Sequence, residues 1–94
     1  MEVEWSRAAL DDLRAIRAFI ARDKPSAAGE VTRVIREAGE GLRTLPSRGR
    51  PGRWYGTREL VTRFGYVVPY RVKGRTIEIL RVFHGTQEWP REAA

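Results

Sequence analysis

The single histidine of the chain, His84, stands at the end of an apolar stretch that alternates like a β-strand. Its imidazole is the only side chain here whose unperturbed pKa is near neutrality, so it is the default candidate for proton transfer. Strict alternation places Arg81 and His84 on opposite faces of that strand. A cation near the end of an apolar strand is costly unless it is paired or faces a cleft. Arg81 is therefore either a site residue or an ion-pair partner of Glu59 or Glu78.

A second candidate site is a run of arginines in which no acidic residue intervenes: Arg48, Arg50, Arg53 and Arg58. A guanidinium binds phosphate bidentately, so the run suits a phosphate backbone, with Trp54 or Tyr55 stacking on a base. It would equally suit an acidic protein partner. The alternative is a solvated loop whose two aromatic side chains fold onto the core.

The composition limits the chemistry available to the chain. It has 94 residues, no cysteine and one histidine. The lack of cysteine excludes a disulfide framework, a cysteine nucleophile and a thiolate metal site. One histidine excludes a multi-histidine metal site, and the carboxylates show no cluster typical of Mg²⁺ or Ca²⁺. We therefore expect neither a metal nor another cofactor.

The charge is distributed unevenly along the chain. The formal net charge is +6, from 18 Lys+Arg and 12 Asp+Glu. Residues 1–45 carry eight basic and eight acidic side chains, whereas residues 46–94 carry ten and four. The whole excess thus lies in the second half, which predicts a phosphate-bearing or acidic partner for that half.

The length fits one domain over residues 1–94. No run approaches the roughly 18 apolar residues that a membrane helix requires. The N-terminus carries Glu2 and Glu4 and lacks the apolar core of a signal peptide. We expect a cytoplasmic protein with no membrane association.

Two amphipathic helices follow from apolar residues at three- and four-residue spacing. Ser6 is the predicted N-cap of the first helix, and Asp11 and Asp12 favour its start. This helix ends near Arg22. Pro25 suits the first turn of the second helix, and Pro46 ends it. A short link makes the two helices an antiparallel hairpin.

Gly39 and Gly41 are unexpected in the second helix, because each costs roughly 1 kcal/mol relative to alanine. Close packing against a strand is one explanation. Early fraying of the helix is the other.

The second half predicts three strands after an N-terminal strand at Glu2–Trp5: Arg58–Arg63, Tyr66–Val72 and Thr76–Phe83, the last two joined by a hairpin turn at 73–75. Pro69 removes a ladder donor and predicts a bulge or a locally unpaired edge. The order β-α-α-β-β-β indicates an α+β fold, an antiparallel sheet with the helical hairpin packed on one face. The other face is then available to a partner or substrate.

Several motifs resemble toxins of the RelE/ParE superfamily of type II toxin–antitoxin modules. They are Trp5-Ser6 before an Ala-Leu-Asp-Asp-Leu helix, Gly49-Arg-Pro-Gly-Arg, Gly56-Thr-Arg-Glu-Leu-Val61, Tyr70-Arg-Val, Ile77-Glu-Ile-Leu-Arg-Val-Phe-His-Gly85 and Gln87-Glu-Trp-Pro90. The resemblance covers nearly the whole chain, in order.

This resemblance implies a β-α-α-β-β-β fold and a cognate antitoxin that wraps and neutralises the toxin. RelE-like members cut mRNA in the ribosomal A site without a metal, and ParE-like members poison DNA gyrase. Our leading hypothesis is ribosome-dependent mRNA cleavage. The alternative is inhibition of gyrase without catalytic activity, and a third class is an inert or structural RNA-binding module.

For the nuclease branch, the resemblance assigns roles to residues of the second half. His84 matches the strand-end position of a general acid, Arg81 matches a basic position of the active-site face, and Glu59 is a base by elimination. Arg50, Arg53 and Arg58 would bind the phosphate, and Trp54 and Trp89 would stack on the substrate. Several nucleases carry a stacking tyrosine just after the last strand, and Trp89 is the aromatic residue nearest that position here. Because His84 and Arg81 alternate, bringing them together requires a bulge or the end of the strand at Phe83.

Overall fold

The computed structural model describes residues 1–91. It contains six strands and two α-helices, in the order β1 (Glu2–Trp5), α1 (Arg7–Ala21), α2 (Pro25–Glu40), β2 (Arg50–Pro51), β3 (Arg58–Val61), β4 (Tyr66–Lys73), β5 (Thr76–Ile79) and β6 (Phe83–His84). Short 3₁₀ turns, Gly41–Arg43 and Arg63–Gly65, follow α2 and precede β4. The predicted element order is confirmed, with the two-residue strand β2 added between α2 and β3.

One sheet contains all six strands, in the order β1-β5-β4-β3-β2, with β6 also paired to β4. The pairs formed by β2 to β6 are antiparallel, as predicted. The edge strand β1 instead runs parallel to β5. This follows from the two helices between them, because a helical crossover returns the chain in the same direction.

The predicted continuous strand Thr76–Phe83 is wrong, because a bulge divides it into β5 and β6. Tyr70 pairs with Ile79 and Val67 pairs with Phe83, so two residues of β4 face three residues, 80–82. Pro69 lies opposite this bulge, where its missing N–H removes a ladder donor, as the sequence predicted. The Pro69 carbonyl still accepts a 2.9 Å bond from the Leu80 N–H.

The helical hairpin packs on one face of the sheet, as predicted. Its buried residues join those of β3, β4 and β5 in one core cluster, which includes Leu13, Ile35, Leu60, Tyr70 and Ile79. Ser6 is the predicted N-cap of α1, and its Oγ accepts a 3.0 Å bond from the Ala9 N–H. No helix within residues 1–91 is long and apolar enough to cross a membrane.

Gly39 lies where α2 approaches the sheet most closely. A Cβ placed there would be 2.6 Å from Cζ2 of Trp5 and 2.9 Å from Cδ1 of Ile79. The Trp5 indole also donates a 2.8 Å hydrogen bond to Glu40. Of the two explanations for this glycine, close packing against a strand is therefore the correct one.

We predict that Gly39→Ala lowers the free energy of unfolding by about 1–3 kcal/mol, because the added methyl group overlaps a rigid indole. Gly29, also in α2, has open space around it, since a Cβ added there would meet no atom within 4 Å. Gly29→Ala is the matched control and should raise stability by roughly 0.5–1 kcal/mol. Urea denaturation of both variants measures the difference, and equal effects would contradict the packing explanation.

Candidate functional site

The sheet separates the candidate residues into groups that lie on different sides of the protein. Tyr66 pairs with His84, and both belong to the helix-covered face together with Val68. Glu59 pairs with Pro69, and both belong to the opposite face. The structure therefore does not bring the predicted general acid His84 and the predicted base Glu59 to one centre.

Glu59 organises the arginines on the sheet face opposite the helices, the open face. Its side chain is 3% exposed and accepts a 3.0 Å bond from Nε of Arg53 and a 3.2 Å bond from Arg50. The Arg53 backbone N–H adds a 2.8 Å bond. Burial alone would raise the pKa of Glu59, but these hydrogen bonds outweigh it and hold the pKa below its usual value. A carboxylate so stabilised is a weak base, and its catalytic role stays a prediction.

The arginines of this cluster remain accessible although they are bonded. The side chains of Arg50 and Arg53 are 56% and 47% exposed. Arg58 points to the other face and donates a 2.7 Å bond to the Gly49 carbonyl, which fixes the loop that carries Arg50. Arg50 and Arg53 can thus still meet an anion, whereas Arg58 has a structural bond of its own.

Three aromatic side chains cover the open face beside Glu59. Trp54, Phe83 and Trp89 have ring centroids 4.7–5.9 Å apart. The Trp54 indole donates a 2.9 Å bond to the Pro90 carbonyl, and the Arg53 guanidinium lies 3.5 Å from the centre of a Trp89 ring. These contacts hold the segment 85–90 against the sheet. Trp54 is buried at 6% exposure and Trp89 is partly buried, so neither presents a free face for a base, while Tyr55 is fully exposed.

Arg81 pairs with Asp12 of α1 rather than with Glu59 or Glu78. Its Nε and Nη2 donate bonds of 2.8 and 3.1 Å to the two carboxylate oxygens. The hydrogen bond and charge of Asp12 raise the pKa of Arg81 against the effect of burial. The same carboxylate accepts a 2.9 Å bond from the Val82 N–H, inside the bulge. Arg81 therefore helps to attach the bulge to α1, and its predicted catalytic role stays a prediction.

His84 borders a cleft of about 490 Å³ between the sheet and α1, with Phe19 and Tyr66 among its walls. Its Nδ1 lies 2.6 Å from the Thr86 hydroxyl and accepts a 3.3 Å bond from the Thr86 N–H. These contacts hold the imidazole ring in place at the edge of the cleft. The imidazole packs edge-on to Tyr66. Burial raises the pKa of the Tyr66 hydroxyl. The cleft can accept a planar or apolar group beside a titratable ring.

Within residues 1–91, no three side chains of the histidine, cysteine, aspartate and glutamate types meet in a way that could hold a metal ion.

Comparison with known proteins identifies the fold's relatives. A model of the ParE toxin of the type II toxin–antitoxin system parDE matches residues 3–89. Toxin Y4kP of Sinorhizobium fredii is 44% identical over 89 residues, which cover 94% of this chain and 92% of that protein. The chain belongs to the ParE toxin family of type II toxin–antitoxin systems.

The toxin has relatives from both branches of the superfamily. Toxin RelE2 of Caulobacter vibrioides is 35% identical over 86 residues, 92% of this chain and 97% of that protein. A chain of the chromosomal ParDE system of P. aeruginosa superposes with a TM-score of 0.83, at 33% identity over 89% of this toxin and 95% of that chain. A chain of the RelBE2 toxin–antitoxin complex of Mycobacterium tuberculosis gives 0.59, at 27% identity over 88% and 95%. The α+β fold and the role as a type II toxin are confirmed.

Sequence reasoning misses two residues of the toxin's candidate sites. Asp12 is predicted only to favour the start of a helix, since nothing in the sequence links position 12 to position 81. Tyr66 is predicted only to begin a strand, although its place opposite His84 follows once the bulge changes the register. The adjacent Asp11-Asp12 pair at one helix terminus is the only sequence signal for the first residue.

We predict that Asp12→Ala and Arg81→Ala are coupled, because each leaves the other charge unpaired against the bulge. A double-mutant cycle on the free energy of unfolding should give a coupling energy of roughly 0.5–3 kcal/mol. Both single variants should also lose growth inhibition to a similar extent. Additive losses of stability would contradict the coupling. Loss of toxicity in Arg81→Ala alone would show that Arg81 contacts the target instead.

We predict that Glu59→Gln flattens the acid limb of the stability curve. The lowered pKa means that ionised Glu59 stabilises the fold above its usual value of 4.5, and that this contribution is lost as the pH falls through the lowered value. At neutral pH the variant should be less stable by roughly 1–3 kcal/mol, and the gap should close in acid. Glu37→Gln, which alters an exposed pair with Arg33, is the control and should change little. A gap that is constant with pH would contradict the assignment.

Proposed function

We propose that this toxin arrests growth by inhibiting DNA gyrase, as ParE-like members do, without catalysis of its own. The observation that carries the proposal is the separation of the candidate catalytic groups. RNA cleavage through a 2′-oxygen needs a base, an acid and a cation around one phosphate. Here Glu59 lies across the sheet from His84. Two guanidinium nitrogens of Arg81, Nε and Nη2, are already hydrogen-bonded to Asp12.

The similarity to ParE supports the same proposal. The family model that matches the chain is that of the parDE toxin, and the superposition on the ParDE chain is closer than that on the RelBE2 chain. An inhibitor that acts by binding needs an exposed surface and has no use for aligned proton-transfer groups. The accessible side chains of Arg50 and Arg53 beside Glu59 satisfy that requirement.

We also propose that a cognate antitoxin binds this toxin, since the two solved relatives come from toxin–antitoxin systems. The half-exposed guanidinium groups of Arg50 and Arg53 make the open face a suitable place for an acidic segment of that partner. Glu59 holds both groups in position, which reduces the side-chain entropy lost when the segment binds.

Ribosome-dependent mRNA cleavage is the second candidate, and the cleft at His84 favours it. The cleft has the size of a small-ligand site, and Tyr66 and Phe19 offer aromatic surface beside an imidazole. In this mechanism His84 would protonate the leaving 5′-oxygen. The phosphate charge would then have to be met by groups outside the Glu59 cluster.

We predict that the purified toxin inhibits ATP-dependent supercoiling of relaxed plasmid by gyrase, at toxin concentrations comparable to that of the enzyme. In parallel, mRNA-programmed ribosomes incubated with the toxin should yield no new 5′ ends. Inhibition of supercoiling with intact mRNA is the expected result. Active supercoiling together with new ends at A-site codons would reverse the assignment.

The His84→Ala variant is the control for the ribosome arm. If cleavage occurs and His84 is the general acid, the rate should fall by roughly 10²–10⁴-fold in this variant. Cleavage that survives the substitution would remove His84 from the mechanism.

A further inference from the structure

The turn between β3 and β4 presents an aromatic side chain on a strained backbone. Phe64 has φ 67° and ψ 14°, and within residues 1–91 it is the one non-glycine residue with a positive φ. The left-handed region favours glycine and, to a lesser degree, asparagine, because a Cβ crowds the following carbonyl. A phenylalanine here is therefore a costly choice for a turn.

The surroundings fix this conformation. The Thr62 N–H and hydroxyl both donate bonds of 2.8 Å to the Tyr66 carbonyl, which closes the turn. The Gly85 N–H donates a 2.8 Å bond to the Gly65 carbonyl, which ties the turn to the segment after β6. Neighbouring Gly65 has no room for a side chain, since a Cβ there would be 2.9 Å from Nε2 of His84. The strained residue is thus held in one position.

The strained conformation of Phe64 buries little of its side chain. Phe64 remains 46% exposed, and Val61 on the same hairpin is 55% exposed. The Arg63 guanidinium lies 4.9 Å from the centre of the Phe64 ring and so covers part of it with a cation. Strained residues that persist without contributing to packing are found mainly where a side chain must be presented for function.

We propose that Arg63 and Phe64, the tip of the β3–β4 hairpin, form a preorganised contact through which the toxin engages its target protein. This inference rests on the proposed function, namely growth arrest by binding. Aromatic residues and arginine are enriched at the cores of protein interfaces, where a few residues carry most of the binding energy. The matching surface is an apolar pocket that admits the Phe64 ring, with an acidic rim for Arg63.

The shape of the turn selects this partner over two others. A single half-exposed ring held in one position is best received by an apolar pocket that exists before binding, which a folded protein offers and a disordered segment does not. Single-stranded nucleic acids bind to successive aromatic platforms along a basic groove, whereas this turn offers one ring. We therefore assign the tip to the folded target.

Phe64→Gly tests this proposal because it separates stability from binding. Glycine accepts a φ of 67°, so the variant should unfold at the same temperature as the wild type or at a higher one. It should also lose at least tenfold in inhibition of gyrase supercoiling and in growth arrest after induced expression. Val72→Ala, which truncates another half-exposed apolar side chain near the far end of β4, is the matched control and should keep both activities.

The outcomes distinguish the tip from the proposed function. If the wild type leaves gyrase unaffected but Phe64→Gly abolishes growth arrest, the gyrase assignment fails and the tip stands. Full toxicity of Phe64→Gly overturns the tip, and so does a lower unfolding temperature, because the strain argument would then be wrong. If Phe64→Gly keeps its toxicity but loses antitoxin binding, the tip belongs to the antitoxin interface and the proposal is overturned. If it keeps its toxicity but loses affinity for an oligo(dT) of about 20 nucleotides, the tip binds nucleic acid and the proposal is likewise overturned.

Discussion

The packing of α1 against the sheet of this toxin depends on the hydrogen bonds that the Asp12 carboxylate accepts. The carboxylate accepts bonds from Arg81 and from the Val82 N–H, and so joins the first turns of α1 to the bulge between β5 and β6. Ser6 reinforces the junction, since its hydroxyl donates a 2.8 Å bond to the Leu80 carbonyl. A bulge leaves backbone groups without ladder partners, and these two helix-proximal side chains supply partners for them.

The bulge determines which residues share a face. One additional residue in the strand reverses the alternation, so that Val82 joins the core with Ile79 while Phe83 joins Trp54 and Trp89 on the opposite face. His84 is thereby directed to the cleft beside α1. The toxin consequently has two chemically different surfaces, an imidazole beside aromatic walls and an arginine cluster around Glu59.

Both surfaces of the toxin are ordered by contacts within the fold. In this chain the arginines of the open face are ordered by a buried carboxylate, and the hairpin tip at Phe64 is ordered by backbone bonds. Side chains that are already held in place lose less entropy when a partner binds them.

Local sequence was sufficient to predict most of the elements, because helical periodicity, the Ser6 cap, the strand segments and the missing donor at Pro69 all act over a few residues. The order of the motifs along the whole chain was likewise sufficient to predict the family. The partners of the charged side chains, in contrast, were set by tertiary packing. Arg81 lies 69 residues from Asp12, and a one-residue change of register moves every later side chain to the other face. Such pairings depend on how the helices dock on the sheet, which no local pattern records.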